Sequence, residues 1–284
     1  MSTGRSIWRR GRTAGLLGLS VLLAVALAVG LRAVRSARAQ QRLQSREGFD
    51  LPAPRVLTNP KTLWATWYWT PSYRSAGDIP LLDMEEKPLG PKPLGLRLPP
   101  ESFCRAAVEG AVRMDGQVYT FAGLGPRKLT DCKPYWPTMT QAPYVRFEKS
   151  DSPYGEGVDD YDLTPYRTIA VDEAQIPIGT VLYIPRARGC LVTLPDGARV
   201  RHDGYFFAGD DGYGVHGNHI DVFLGISQDC PFPWVVSRPW GTFPAYVVTD
   251  PALIRALRRR LPPGEERLSE PLSAPEPGWG RGPL

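Results

Sequence analysis

Between Leu63 and Val248, apolar and aromatic β-prone residues come in short runs, and most runs are closed by Gly, Pro, Asn or Asp. Runs of that composition and length predict β-strands separated by turns. The pattern places strands at 64–69, 117–122, 168–171, 180–184, 200–208, 219–224 and 245–248. Asp115-Gly116 and Asp196-Gly197 carry hairpin-turn chemistry. One helical pattern interrupts the series, Glu101 to Val112, with Phe103, Ala107 and Ala111 on one face. The proline-rich stretch 79–100 reads as a long loop, and 123–166 as irregular chain. A second helix starts at Asp250-Pro251, a capping residue followed by proline at the first helical position. It runs to about Leu261, where Pro262-Pro263 stops it. Many short strands with one brief helical interruption indicate a mainly β sandwich or barrel.

The two ends differ from this body. Ala14 to Leu31 holds no charge, and eighteen helical residues span about 27 Å, near the hydrocarbon thickness of a bilayer. Residues 1–35 are therefore expected to form a transmembrane signal anchor; a cleaved signal peptide, processed at Ala37-Arg38-Ala39, is the other reading. Either route puts the rest of the chain outside the cytoplasm, in the periplasm or cell envelope. Residues 36–60 read as a linker, 61–250 as the β domain with insertions, and 251–284 as the helix and a disordered tail.

Four cysteines, Cys104, Cys132, Cys190 and Cys230, suit two disulfides in an exported chain, with three possible connectivities. The expected pairs are Cys104–Cys132 and Cys190–Cys230, the latter because both follow strand-like runs. No Cys-x-x-Cys spacing supports zinc. The net charge of +5 is concentrated near the two ends. No basic patch interleaved with aromatics occupies the middle, which argues against a nucleic-acid partner.

The chemistry concentrates in Asp210-Asp-Gly-Tyr-Gly-Val-His-Gly-Asn-His-Ile-Asp221. Three glycines make a loop with unusual backbone angles, and the loop enters an alternating strand that contains Asp221. A carboxylate in such a strand is costly to bury without partners. Two acids held close by one rigid loop push each other's pKa upward, as general-acid catalysis on a glycosidic oxygen requires.

These residues also carry a family resemblance. Pro165-Tyr-Arg-Thr-Ile-Ala-Val-Asp172, Ile176-Pro-Ile-Gly-Thr180 and the Asp210–Asp221 block, in that order, resemble the three-aspartate (3D) domain family, found in membrane-bound lytic transglycosylase A and in stationary-phase muralytic proteins. Trp67-Tyr-Trp-Thr-Pro-Ser-Tyr73 and Ser152-Pro-Tyr-Gly155 are similar to the family's earlier segments. The resemblance implies a six-stranded double-psi β-barrel that cleaves the MurNAc–GlcNAc bond of peptidoglycan without water, leaving 1,6-anhydro ends and needing no cofactor or metal. It implies that Asp221 serves as catalytic acid and then base, that Asp210 tunes it, and that Asp172 fixes the barrel loop. Tyr68, Tyr73, Tyr213, His216 and Asn218 are the expected substrate-binding residues.

The pattern departs from the family in two places. Asp-Thr-Gly becomes Asp210-Asp211-Gly212, and the family's Lys and Arg positions are His216 and His219, which makes the site pH-sensitive. Other readings stand beside the enzymatic one. Asp210 and Asp211 suit solvated turns or calcium, His202, His216 and His219 could bind a metal, and Trp64, Trp67 and Trp69 suit core, membrane interface or a sugar platform. A non-catalytic module that binds cell-wall glycan or acts as a scaffold is the alternative function.

Overall fold

The computed structural model describes residues 48–91, 94–259 and 261. The apolar stretch 14–31, the linker up to residue 47 and the tail from 262 onward lie outside the described residues. Among the described residues no helix is long and apolar enough to cross a membrane.

Six strands close a barrel in the order β1-β13-β8-β12-β9-β14. They are β1 (Pro60–Tyr68), β8 (Thr168–Val171), β9 (Val181–Tyr183), β12 (Tyr205–Asp211), β13 (His219–Phe223) and β14 (Phe243–Val247). Two neighbouring pairs, β1–β13 and β8–β12, are parallel, and the other contacts are antiparallel. Strand alternation decides what fills the barrel. Leu63 and Ala65 of β1, Ile169 and Val171 of β8, Phe206 and Ala208 of β12, and Ile220 and Val222 of β13 share one core with Phe243 and Ala245 of β14.

The chain leaves the barrel after β1 and returns at β8. The excursion builds a second sheet, in the order β2-β5-β6-β7, from β2 (Ser72–Tyr73), β5 (Ala111–Met114), β6 (Gln117–Leu124) and β7 (Val145–Lys149). A small pair, β3 (Ile79–Pro80) and β4 (Arg97–Leu98), occupies the stretch expected to be plain loop. Helix α1 (Pro100–Glu109) packs Phe103, Ala106 and Ala107 into a separate core with Val112, Met114 and Phe147. The Cys104–Cys132 disulfide lies inside that core.

Several expectations need correction. The first helix ends at Glu109, because Gly110 takes a left-handed conformation (φ 77°) and turns Ala111 and Val112 into β5. The run 200–208 is two strands, β11 (Arg199–Arg201) and β12, because Asp203-Gly204 breaks it; β11 pairs with β10 (Leu191–Thr193) across the expected Asp196-Gly197 turn. Cys190 and Cys230 are free thiols. Cys190 Sγ points to the carbonyl of Arg186 and Cys230 Sγ to that of Phe232, so each is engaged within its own loop. The Asp115-Gly116 turn does join β5 to β6, with both residues at positive φ, as a two-residue hairpin requires. Helix α2 (Pro251–Arg258) is capped by Asp250, whose side chain accepts the Ala252 N–H at 2.8 Å.

The most buried ion pair among the described residues is forked. Arg167 donates to Asp203 Oδ1 at 2.6 Å and to Oδ2 at 2.8 Å, and both side chains are shielded from water. Asp203 Oδ2 also accepts the Leu51 N–H, and the Phe49 ring lies 4.0 Å from the Arg167 guanidinium carbon, so the segment ahead of β1 is tied to the barrel. Burial pushes the Asp203 carboxyl up, but the bonds and charge of Arg167 outweigh it and hold it below its ordinary value. His202 beside it is packed among Phe49, Phe206 and Phe232; burial lowers its pKa to about 3, so it is neutral. Its Nε2–H donates to the Tyr166 carbonyl while Nδ1 accepts from Gly204. Removing one partner of such a pair leaves an uncompensated buried charge. Arg167→Met is therefore expected to cost about 3–5 kcal/mol in denaturant unfolding.

Candidate functional site

The site begins with one lateral row of residues. In the barrel register Thr66 faces Asp221, Asp221 faces Ala170, and Ala170 on its other side faces Asp210. Laterally aligned residues of neighbouring strands share a face. This row alternates with the core residues, so the carboxylates stand on the outside of the barrel and not in its interior. The two acids are two strand spacings apart, roughly 10 Å between backbones.

A β-bulge makes this possible. Ala208 pairs with Ile169, but Asp210 pairs with Ala170, leaving Gly209 as an extra residue. Without it, Asp210 would follow Phe206 and Ala208 into the apolar core. The extra residue turns it to the face that carries Asp221. Gly157 of the excursion lies against the bulge, and a Cβ there would collide with the Gly209 carbonyl and approach Asp210 Oδ1 to 3.1 Å.

Both carboxyls are half-buried and each has an anchor. Thr66 Oγ1 donates to Asp221 Oδ1 at 2.8 Å. The Tyr68 hydroxyl donates to Asp210 Oδ2 at 2.6 Å, and the Asp211 N–H donates to Asp210 Oδ1. Burial pushes Asp221 up to about 7, opposed by the Thr66 bond. Burial likewise pushes Asp210 to about 7; Asp211 and Asp221 add to the rise and Tyr68 opposes it. The Tyr68 hydroxyl is held well above its usual range by burial and by the neighbouring acids.

Helix α1 supplies a third acid. Glu109 accepts the Trp69 N–H at 3.1 Å, one residue past Tyr68, and burial together with the charge of Asp221 carries it to about 8 despite that bond. Arg105, one turn earlier, is 3.6 Å from Glu109 and lies over the Trp69 and Trp136 rings at 5.2 and 4.7 Å. An arginine held against two indoles is favourable.

The other expected site residues are dispersed. Asp172 caps its own turn, accepting from Ala174 N, and ties in the glycine loop by accepting from Gly217 N at 2.7 Å. Tyr213, His216 and Asn218 are exposed on that loop, where Asn218 donates to the Thr62 carbonyl. Tyr73 belongs to β2 and packs against the core of the second sheet, within electrostatic reach of Arg105 and Glu109. Tyr68 alone of the expected binding residues touches a central acid. Thr66, Glu109 and Arg105 were not anticipated. Period-two spacing from Tyr68 would have put Thr66 on the same face, but only the β1–β13 register sets it against Asp221. Among the described residues no group of three His, Cys, Asp or Glu side chains could hold a metal ion.

A barrel bearing two half-buried acids, each with its own hydroxyl donor, has the form of an acid–base site. Residues 167–242 match the family model of the 3D domain, and all three expected aspartates fall within them. The chain thus carries a 3D domain. Solved structures that resemble it include Escherichia coli MltA with bound chitohexaose, at 18% identity over 66% of this chain and 71% of that one, with a TM-score of 0.42. Others are the lytic transglycosylase LtgG of Burkholderia pseudomallei (19%, 66% and 71%, TM-score 0.34) and a membrane-bound lytic murein transglycosylase from Agrobacterium tumefaciens (15%, 69% and 78%, TM-score 0.42). No curated protein matches the chain. Identities and TM-scores this low leave the functional reading to the chain's own residues.

Two outcomes follow from the geometry. Gly157→Ala should displace the bulge, lowering stability by about 1–3 kcal/mol, as overpacking does, and moving the Asp210 carboxyl resonance in a pH titration. The second concerns Asp221, whose folded value of about 7 lies above an unfolded value near 3.9. The folded chain then holds the extra proton between those values, and stability falls as pH rises through that window. Asp221→Asn should therefore gain thermal stability over the parent at about pH 8 but little at about pH 4, read as melting midpoints.

Proposed function

We propose that this protein is a lytic transglycosylase-like enzyme of the cell envelope, cleaving the MurNAc–GlcNAc bond of peptidoglycan strands without water. The observation that carries it is the Thr66–Asp221–Ala170–Asp210 row, which holds two acids with elevated titration on a half-buried outer face. The two parallel strand pairs fit the double-psi arrangement of the barrel. The Cys104–Cys132 disulfide fits an oxidising compartment outside the cytoplasm.

Protonated Asp221 gives its proton to the glycosidic oxygen as the bond from the muramyl C1 breaks. The muramyl 6-hydroxyl then attacks C1 and returns its proton to Asp221, closing the 1,6-anhydro ring. One carboxyl serves both steps because the attacking group belongs to the sugar, in contrast to hydrolases that need a second carboxylate to activate water. Asp210, held by Tyr68, is raised to about 7 by burial and in part by the charge of Asp221, so the two carboxyls resist being ionised together. Arg105, Trp69 and Trp136 form a wall suited to a polar sugar with apolar ring faces.

The test is to incubate the full chain with purified peptidoglycan and analyse products by mass spectrometry. Anhydro-ended muropeptides are expected. Asp221→Asn should lower the rate roughly 10²–10⁴-fold, the usual share of a general acid–base group. Since the protonated form is the competent one, the rate should decline as pH rises through about 7. A folded protein that retains peptidoglycan but releases no product would leave only the glycan-binding alternative.

A further inference from the structure

The hydroxyl of Thr66 has two partners. It lies 2.8 Å from Asp221 Oδ1 and 2.7 Å from His219 Nε2. The other ring nitrogen, His219 Nδ1, is 3.2 Å from the Gly214 carbonyl. The ring plane is held by its stack on Trp64, at 3.7 Å and 3° from parallel, and its residue is buried.

A hydroxyl carries one proton, and when Thr66 spends it within this cluster two arrangements satisfy all three contacts. In the first, Thr66 donates to an Asp221 carboxylate and accepts from Nε2–H. Because Nδ1 faces a carbonyl oxygen it must also carry hydrogen, and the ring is then an imidazolium. In the second, a protonated Asp221 donates to Thr66, Thr66 donates to Nε2, and Nδ1–H donates to Gly214; every group is neutral. A relay of two protons interconverts them. The Nε2–H bond breaks as a new Thr66 O–H bond forms, and the original hydroxyl proton passes to Asp221 Oδ1.

We propose that Asp221, Thr66 and His219 form a single proton-sharing unit, with His219 a positioning residue whose tautomer is set by the protonation of Asp221. Its catalytic meaning rests on the reading of Asp221 as the acid, but the proton sharing itself does not. Desolvation favours the neutral arrangement, in keeping with an Asp221 raised, and a His219 lowered, chiefly by burial. The charged and titratable groups that face the unit are Tyr68 from β1, Asp210 from β12, Glu109 from α1, and His216 and Cys230 from loops. When the unit loses its proton, the Thr66 hydroxyl turns to the Asp221 carboxylate, and the neutral ring keeps a bond to Thr66 only by moving its hydrogen from Nδ1 to Nε2.

Nitrogen-15 spectra of the histidine rings in the full chain test this directly, with three histidines to assign. The expected result is a His219 ring in the Nδ1–H form at low pH that shifts toward Nε2–H with the same midpoint as the Asp221 carboxyl. Asp221→Asn, whose amide imitates the protonated acid toward Thr66, should hold the Nδ1–H form at every pH. Thr66→Val should uncouple the two titrations, and Thr66→Ser should restore the coupling. A His219 that charges independently in its ordinary range, or an inflection that survives in Asp221→Asn, overturns the proposal. Because no turnover is read, absence of glycan cleavage would sink the enzymatic reading without touching this one.

Discussion

The site depends on the lateral register around Ala170. That residue is bonded on both sides, to Asp221 on one neighbour and Asp210 on the other. Its methyl group is all that stands between two acids on the same face. A larger residue would occupy the space where their charges meet, and a one-residue slip of either neighbour would send an acid into the barrel core. The bulge at Gly209, the threonine opposite Asp221 and the tyrosine reaching Asp210 all serve this one row. Desolvation then does the chemical work, raising both carboxyls to the range where a proton can be given and recovered near neutrality.

What holds the register is remote from the acids. The Arg167–Asp203 fork sits immediately before β8 and just ahead of β12, the two strands that must stay aligned for Ala170 to meet Asp210. The same pair gathers in Leu51 and Phe49, so the segment leading into β1 is fixed to the same point. A buried ion pair is a poor source of net stability, but a displaced strand would strand its charges, which penalises the wrong alignment.

The sequence was legible where local chemistry decides structure. Thr168–Val171 is a strand because its apolar β-branched residues are buried on both faces, Asp115-Gly116 suits a tight hairpin, and Asp250-Pro251 starts a helix. It was misleading where one residue overrides a pattern. Gly110 cut short the first helix, and Asp203-Gly204 broke a long apolar run. Val145–Lys149 was hidden among prolines and tyrosines and became a strand only by pairing with β6. The two central acids were visible as residues, yet their face was not, because the bulge that turns Asp210 outward is a property of pairing. Glu109 was invisible for a different reason. An acid near the end of a helix looks solvated until Trp69 and the barrel close over it.

The excursion between β1 and β8 has its own core and its own disulfide, yet it delivers Glu109 and Arg105 to the barrel's outer face. On the proposed lytic transglycosylase reading, reaction chemistry and ligand fit fall to separate modules along one polypeptide. The barrel strands can remain unaltered while loops of the inserted sheet lengthen, shorten or exchange side chains. On that reading, such a division lets selection reshape which polymers are admitted without disturbing the carboxyl pair beneath.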